Sequence, residues 1–173
     1  RLGYHAAPPA PASRTGAPPA QSPPSTPGGR ELPRRWDWRE HEGITPPKDQ
    51  GQCGSCWAFC AIGALEGCAR IWDHQIYDLS EQQMLECNSG GSGCDGGDMT
   101  ACYALFMDPG AVSEADIPYT AHNIRPCRQA DFEPVAGISA WYPVEPDEVA
   151  LKSAVYTHGP VACAMAVTQD FRG

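Results

Sequence analysis

The stretch Gln50–Phe59, which reads QGQCGSCWAF, constrains the fold of this chain more than any other. Glycines at positions 51 and 54 permit a tight, irregular backbone just before the second cysteine. From Ser55 onward the chain is rich in apolar residues, which suits a helix buried on most of its sides. Cys56 then lies in the first turn, where unpaired amide hydrogens and the positive dipole end favour a thiolate. The stretch predicts a buried helix that begins at a nucleophilic cysteine.

Two cysteines three positions apart, such as Cys53 and Cys56, also occur in thioredoxin-like redox pairs and in zinc sites. A redox pair follows a strand inside a βαβ unit, but a Pro-Pro pair precedes Cys53 and cannot donate to a sheet ladder. A zinc site needs a second close pair of ligands, whereas Cys87 and Cys94 are separated by six residues. Both uses remain alternatives to the nucleophile, which the stretch favours.

The run Cys53-Gly54-Ser55-Cys56-Trp57 resembles the C-G-[SA]-C-[WY] signature of the papain-like cysteine peptidases. The resemblance implies that Cys56 is the catalytic nucleophile. It also implies that Gln50, six residues earlier, supplies its side-chain amide to the oxyanion hole, with the backbone amide of Cys56 as the second donor.

A second stretch, Gly93-Cys94-Asp95-Gly96-Gly97, resembles the Gly-Cys-x-Gly-Gly signature of the same family. The resemblance implies that Gly97 hydrogen-bonds the backbone of an extended substrate peptide, a recognised mode of peptide capture. It further places Met99 and Ala164 at the pocket for the P2 side chain of the substrate. The substrate preference of that pocket does not follow from these residues.

The resemblance begins near Leu32 and runs to the end of the chain, and it implies an α+β, papain-like fold. A mainly helical domain is expected over residues 31–135, and the start of a β-barrel-like domain, incomplete at its C-terminal end, over residues 136–173. The Pro- and Ala-rich residues 1–30 are expected to form a disordered linker. Local patterns predict helices over 81–87, 99–107 and 146–156, and a buried strand over 161–167.

The catalytic His and Asn of papain-like enzymes lie about 130–150 residues beyond the nucleophile, which here falls past Gly173. The five histidines present are expected to be surface residues rather than substitutes. The chain is therefore expected to hold the half of a two-domain enzyme that carries the nucleophile, and residues 1–173 alone are expected to be inactive.

Nine cysteines in 173 residues favour an oxidising compartment, so a secreted or a lysosomal or vacuolar protein is expected. The resemblance implies disulfides between Cys53 and Cys94 and between Cys87 and Cys127. A third pair, Cys60–Cys102, is proposed because both cysteines lie on predicted helices that can face one another. The sequence gives no pairing for the other cysteines.

The formal net charge of −9 disfavours nucleic acid as a partner, and no apolar run is long enough to span a membrane. Neither a metal nor a cofactor is expected. The function expected from the resemblance is that of a cysteine-type endopeptidase acting on proteins or peptides through an acyl-enzyme, with a propeptide or an inhibitor as a further candidate partner. The alternatives are a catalytically inactive papain-like homologue that binds peptides and a CxxC disulfide oxidoreductase.

Overall fold

The computed structural model describes residues 32–89, 92–123 and 126–166, so the linker predicted over residues 1–30 lies outside the described part. The described residues form four α-helices, namely α1 Cys56–Trp72, α2 Glu81–Cys87, α3 Met99–Met107 and α4 Glu148–His158. In the same ranges no strand is formed, and extended segments meet only at isolated bridges, including one between Ala111 and Ala136. None of these helices is long and apolar enough to cross a membrane.

Helix α1 forms the centre of the molecule and packs against both α2 and α3. Its buried residues are spread around much of the helix circumference: Trp57, Ala58, Ala61, Ile62, Leu65, Glu66, Gly67 and Ala69. Phe106 of α3 and Leu85 of α2 join these side chains in one apolar core. The predicted buried helix that begins at Cys56 is confirmed, because its apolar residues recur at positions that face both neighbouring helices.

Helix α2 is buried along nearly its whole length although most of its residues are polar. The Ser80 hydroxyl accepts from the Gln83 amide at 2.9 Å and caps the helix, as predicted. The Gln83 side chain does not return to Ser80. It donates to the Gly110 carbonyl and accepts from the Val112 amide, each at 2.8 Å. These bonds satisfy a buried amide that would otherwise destabilise the core, and they fix the segment after α3 against α2.

Helix α3 has the predicted bounds, whereas α4 is displaced from its prediction. The sequence predicted a helix over 146–156 with a proline in its first turn, but α4 begins at Glu148. The Asp147 carboxylate accepts from the amides of Val149 and Ala150 at 3.0 Å, which makes Asp147 the N-cap and leaves Pro146 outside the helix. The chain then leaves α4 through Gly159, whose φ of 109° suits glycine.

The segment after α4 differs from its prediction. Residues 161–166 form no strand, and 163–166 are exposed rather than buried, while Val167 lies outside the described residues. A strand is stabilised by a ladder of backbone hydrogen bonds to a neighbour, and in the described chain no such neighbour lies beside this segment. A side chain of α1 contacts this segment instead, since the Cys60 thiol donates to the Cys163 carbonyl at 3.5 Å.

Candidate active site

The loop that leads into α1 is locked to the glycine-rich turn around Cys94. A disulfide joins Cys53 to Cys94, as predicted from the resemblance, and the Gly54 amide donates to the Cys94 carbonyl at 2.7 Å. A Cβ atom at position 54 would lie 2.6 Å from that carbonyl oxygen, so only glycine permits this approach. The loop before the candidate nucleophile is therefore fixed by both a covalent bond and a backbone hydrogen bond.

Cys56 is the first residue of α1, and its thiol is free and exposed. Ser55 occupies the N-cap position but makes no side-chain capping bond to the helix. The first-turn amides of α1 are thus not satisfied by the usual serine cap, and the positive end of the helix dipole lies beside the sulfur. Cys56 therefore presents an accessible thiol at a helix N-terminus, a placement typical of reactive cysteines.

The carboxamide of Gln50 lies beside this helix start. Its Nε2 atom donates to the Cys53 carbonyl at 2.8 Å, and the Ser55 amide donates to the same oxygen at 2.8 Å. The Gln50 amide nitrogen is therefore held next to the residue that precedes Cys56. Because Nε2 carries two hydrogens and this bond uses one, a second N–H donor remains for another acceptor.

Tyr119 is a site neighbour to which the sequence assigned no role. Its hydroxyl donates to the Gln50 carbonyl at 2.9 Å and lies 2.6 Å from the Ser55 hydroxyl. Its ring also packs edge-on against Phe59 of α1, with centroids 4.9 Å apart. Tyr119 is distant in sequence from Cys56, and no local pattern marks its hydroxyl as part of this site.

Gly97 is exposed and lies directly against the residue that follows Cys56. A Cβ atom at position 97 would lie 2.6 Å from Cε2 of Trp57 and 2.5 Å from Cβ of Ser92. The Trp57 indole is itself held by a 3.1 Å hydrogen bond to the Gly93 carbonyl. The structure therefore brings the second glycine-rich motif and the start of α1 together.

The two residues predicted at the P2 pocket have different environments. Met99 is half-buried at the start of α3, where Asp98 caps the helix by accepting from the Thr100 amide at 2.8 Å. This cap explains Asp98, which the sequence left without a role. Ala164 is exposed and follows Cys163. The Cys163 carbonyl accepts from the thiol of Cys60, which lies one turn after Cys56 on α1. The structure thus places the segment that contains Ala164 beside α1.

The second predicted disulfide, Cys87–Cys127, is present, but the third is not. Cys60 and Cys102 are both free, because the Cys60 thiol points to the Cys163 carbonyl while Cys102 is fully buried on α3. The proposed Cys60–Cys102 pair is therefore wrong. Burial raises the pKa of both thiols, and it raises the pKa of Cys68 to about 11. These three cysteines are consequently poor nucleophiles at neutral pH.

Three carboxylates cluster around Lys48, which lies two positions before Gln50 in the sequence. The Lys48 ammonium is 2.9 Å from Glu66, 2.8 Å from Asp78 and 3.1 Å from Glu81. Burial by itself lowers the pKa of Lys48. Hydrogen bonds to Asp78 and Glu66 outweigh this effect, so the pKa is raised overall. Burial raises the pKa of Glu81 to about 7, an effect that Lys48 partly opposes.

Three of these four charged residues lie at an apolar cavity of about 380 Å³. Its lining includes Lys48, Glu66 and Glu81 together with Phe59 and Pro160, and it includes neither Cys56 nor Gln50. The cavity is therefore separate from the candidate nucleophile.

The rings of His41 and His122 contact residues other than Cys56. The His41 ring stacks on Trp36 with centroids 3.9 Å apart, and Nδ1 of His122 lies 2.6 Å from the Thr120 carbonyl. His158 ends α4, and its carbonyl accepts from the Trp72 indole at 3.1 Å. In the part of the chain that the structure describes, no group of three or more His, Cys, Asp or Glu residues is arranged to hold a metal ion.

Comparison with known proteins gives a family for the chain. The family model described as "Papain family cysteine protease" matches residues 32–173. A probable cysteine protease, RD19C, from Arabidopsis thaliana is 39% identical over 145 residues, which cover 78% of this chain and 39% of that protein. Procathepsin L of Mus musculus is 39% identical over 138 residues, covering 78% of this chain and 41% of that protein. The chain thus spans about two fifths of the length of these curated relatives.

Solved structures agree with this result. Digestive procathepsin L 3 of the Tenebrio molitor larval midgut superimposes with a TM-score of 0.70 at 35% identity, covering 79% of this chain and 45% of that one. Bromelain from Ananas comosus, solved with the E64 inhibitor, gives a TM-score of 0.66 at 34% identity, covering 72% and 58%. Together with the free Cys56 at the start of α1, these matches show that the fold is papain-like and that the chain belongs to the papain family of cysteine proteases.

Proposed function

We propose that the full-length protein is a cysteine endopeptidase that hydrolyses peptide bonds in proteins. The Cys56 thiolate attacks the scissile carbonyl and forms an acyl-enzyme, and water then releases the acyl group. One observation carries the proposal: Cys56 is free, exposed and placed at a helix N-terminus that Ser55 does not cap. Cys60, Cys68 and Cys102 differ from Cys56, because burial raises the pKa of their thiols and makes them poor nucleophiles.

The oxyanion that forms during attack is assigned to two donors. One is the second N–H of the Gln50 carboxamide, whose first N–H is held by the Cys53 carbonyl. The other is the backbone amide of Cys56 at the uncapped start of α1. Donors fixed before the reaction stabilise developing charge without reorganisation during the reaction, and this is commonly a large contribution to catalysis.

The substrate is proposed to be an extended peptide that crosses Gly97. The exposure of Gly97 and its contact with Trp57 support this role, because a peptide backbone can approach a residue without a side chain. Met99 and Ala164 are proposed to flank the P2 side chain. We propose that the base and the orienting residue of the catalytic site belong to the part of the family's domain that this chain does not span.

The chain is proposed to consist of three segments. We infer that residues 31–135 form the helical half of a peptidase domain, that 136–173 begin its second half, and that 1–30 are a linker. We further infer that residues 1–173 alone do not hydrolyse peptides, since proton transfer to the leaving amine needs a positioned acid.

Two alternatives are weighed against the proposal. A disulfide oxidoreductase would use Cys53 and Cys56 as a redox pair, but Cys53 is bonded to Cys94. An inactive homologue would still bind peptides at Gly97 but would not cleave them. The free thiol of Cys56 and the second N–H of the Gln50 carboxamide support an active enzyme.

Membership of the family also supports a proposal for the compartment and the partners. Two disulfides support an oxidising compartment, and we propose that the protein is secreted or lysosomal or vacuolar. Two of the similar solved structures are a procathepsin and a proform of a cysteine protease. A propeptide is therefore proposed as an inhibitory partner of the full-length protein.

The proposal is tested with the full-length protein and a fluorogenic peptide amide. We expect hydrolysis by the wild type and its loss in Cys56→Ser, while Cys163→Ser, which alters another exposed free thiol, retains activity. Iodoacetamide should label Cys56 faster than Cys163. Binding of the peptide without hydrolysis would favour the inactive homologue, and two fast-reacting thiols at positions 53 and 56 after mild reduction would favour the oxidoreductase.

A further inference from the structure

The hydroxyl of Tyr119 forms the centre of a hydrogen-bonded chain beside the candidate nucleophile. It lies 2.9 Å from the Gln50 carbonyl and 2.6 Å from the Ser55 hydroxyl. A carbonyl can only accept, so the single phenolic hydrogen is directed to Gln50. The Ser55 hydroxyl is then the donor to Tyr119, and the chain runs from Ser55 through Tyr119 to the Gln50 carbonyl.

This chain has consequences at both of its ends. At one end it holds the backbone of Gln50, whose carboxamide is separately held by the Cys53 carbonyl at 2.8 Å. At the other end it engages the hydroxyl of Ser55, the residue at the N-cap position of α1, which makes no capping bond to the helix. Serine at that position ordinarily accepts from a first-turn amide. The bond to Tyr119 thus accompanies the open helix N-terminus at Cys56.

The segment that carries Tyr119 is itself held by buried side chains of the α2 region. The Ser80 hydroxyl donates to the Ile117 carbonyl at 2.6 Å, and the Gln82 carboxamide accepts from the Thr120 amide at 2.9 Å. Ser80 and Gln82 are both fully buried, so these anchors have little freedom to move. Position 119 is therefore fixed to the core rather than to a mobile surface loop.

We propose that Tyr119 is a positioning residue that ties the Gln50 backbone to Ser55 at the start of α1, so that both oxyanion donors remain aimed at the scissile carbonyl. The inference rests on the proposed peptidase function and deepens it. Burial raises the pKa of the Tyr119 phenol, so the hydroxyl stays protonated and can donate throughout the range in which such an enzyme works.

Loss of the hydroxyl would act on both donors. The Gln50 carbonyl would lose its partner, and the loop would be free to shift relative to α1. The Ser55 hydroxyl would lose the acceptor that ties the start of α1 to Tyr119, so the backbone amide of the next residue, Cys56, would also be held less firmly. Because an oxyanion forms only during the reaction, this loss should affect the transition state more than substrate binding.

The test compares Tyr119→Phe with wild type in the full-length protein. The variant keeps the ring that packs on Phe59 and removes only the hydroxyl. We expect kcat to fall by about 10- to 100-fold, somewhat less than when an oxyanion donor is removed outright, and KM to change by less than about threefold. Tyr103→Phe, at a partly buried tyrosine packed near Trp141, is the matched control and should leave both constants unchanged.

A double-mutant cycle distinguishes positioning from a general loss of structure. Because Tyr119 holds Gln50, adding Tyr119→Phe to Gln50→Ala should lower kcat by a smaller factor than Tyr119→Phe does in the wild type. Full multiplication of the two effects, or a rise in KM without a fall in kcat, would overturn the inference. An aldehyde inhibitor that forms a tetrahedral adduct with Cys56 should lose affinity in parallel with kcat/KM.

Failure of the proposed function and failure of this inference give different results. A wild-type protein without Cys56-dependent hydrolysis would overturn the proposed function, and the inference with it, whereas an active wild type with an unaffected Tyr119→Phe variant would overturn the inference alone. If Tyr119→Phe does not fold, Ser55→Ala decides the question. It removes the donor to Tyr119 and should lower kcat by about three- to tenfold at unchanged KM, and an unchanged kcat would contradict the inference.

Discussion

The indole of Trp57 packs so closely against Gly97 that a Cβ atom at position 97 would lie 2.6 Å from the ring. Trp57 is only 4% exposed, and its Nε1 atom donates to the Gly93 carbonyl, so the ring cannot readily move aside. The contact joins the residue after the proposed nucleophile to the proposed peptide-binding glycine. Any change at position 97 therefore acts on both features.

We expect Gly97→Ala to destabilise the protein. The added methyl group would overlap both Trp57 and Ser92, and such overpacking costs about 1–3 kcal/mol of the free energy of unfolding. Urea denaturation of the wild type and the variant measures this difference. Hydrolysis of a peptide substrate should also weaken, because the shifted turn no longer presents its backbone in the same place.

Gly63→Ala is the matched control for this substitution. Gly63 lies within α1, and a Cβ atom there would meet nothing within 4 Å. Replacing a helical glycine with alanine in open space should stabilise the protein by about 0.5–1 kcal/mol. If the two variants changed stability in the same direction, the close approach at Gly97 would not be the cause.

The two disulfides should each contribute strongly to stability. Cys53–Cys94 and Cys87–Cys127 join residues 41 and 40 positions apart. In the chain-entropy model a loop of this length contributes about 4 kcal/mol, so replacing either pair by serines should lower the free energy of unfolding by an amount of that order. The single variant Cys163→Ser, at an exposed free cysteine, should have little effect. Peptide mapping without reduction should recover both pairs and no Cys60–Cys102 peptide.

The sequence predicted those parts of the site that depend on local pattern. The apolar run after Ser55 predicted where α1 begins. Ser80, followed three residues later by Gln83, predicted where α2 begins. The glycines at 54 and 97 were recognised from motifs, and the structure gives the physical reason, which is the close approach of a carbonyl and of an indole. The helix starts are encoded by residues that are near one another in the chain, whereas the two glycines were recognised only through the family motifs, because the contacts that require them are long-range.

The features that the sequence did not predict depend on long-range contacts. The Tyr119 hydroxyl meets the Gln50 carbonyl across 69 positions, and a pattern of local spacing contains no information on such a pair. The Cys60–Cys102 pair failed for the same reason, since helix faces alone do not fix where a thiol points. The strand predicted over 161–167 failed because β-structure needs a neighbouring strand, and an apolar run alone does not provide one.

Asp98 should stabilise α3 as its N-cap. Its carboxylate accepts from the amide and the hydroxyl of Thr100, and these hydrogen bonds lower the pKa of Asp98. We expect Asp98→Ala to lower the free energy of unfolding at pH 7 by about 1 kcal/mol, and Asp98→Asn to retain most of it. Asp95→Ala, at an exposed neighbour, is the control. Thermal unfolding of the three variants distinguishes a cap from a general effect of charge near the turn.

Glu81 should make stability depend on pH in the range in which most carboxylates do not titrate. Its side chain is buried at the start of α2, with Lys48 3.1 Å from Oε1, and Oε2 has no hydrogen-bond partner in the described structure. Burial raises the pKa of Glu81 to about 7, above the ordinary carboxyl value near 4.5. The folded state thus favours the protonated form. The stabilising contribution is complete below pH 4.5 and is lost as the pH rises through 7.

We therefore expect Glu81→Gln to flatten the pH dependence of stability between pH 5 and pH 8. Relative to this variant, the wild type should lose on the order of 2–3 kcal/mol of the free energy of unfolding across that range. Glu148→Gln is the control, because Lys152 lowers the pKa of the exposed Glu148 and places its titration below the range. Urea midpoints at half-unit pH intervals measure the effect. Parallel curves for wild type and Glu81→Gln would show that Lys48 keeps Glu81 ionised throughout, which would contradict the raised pKa.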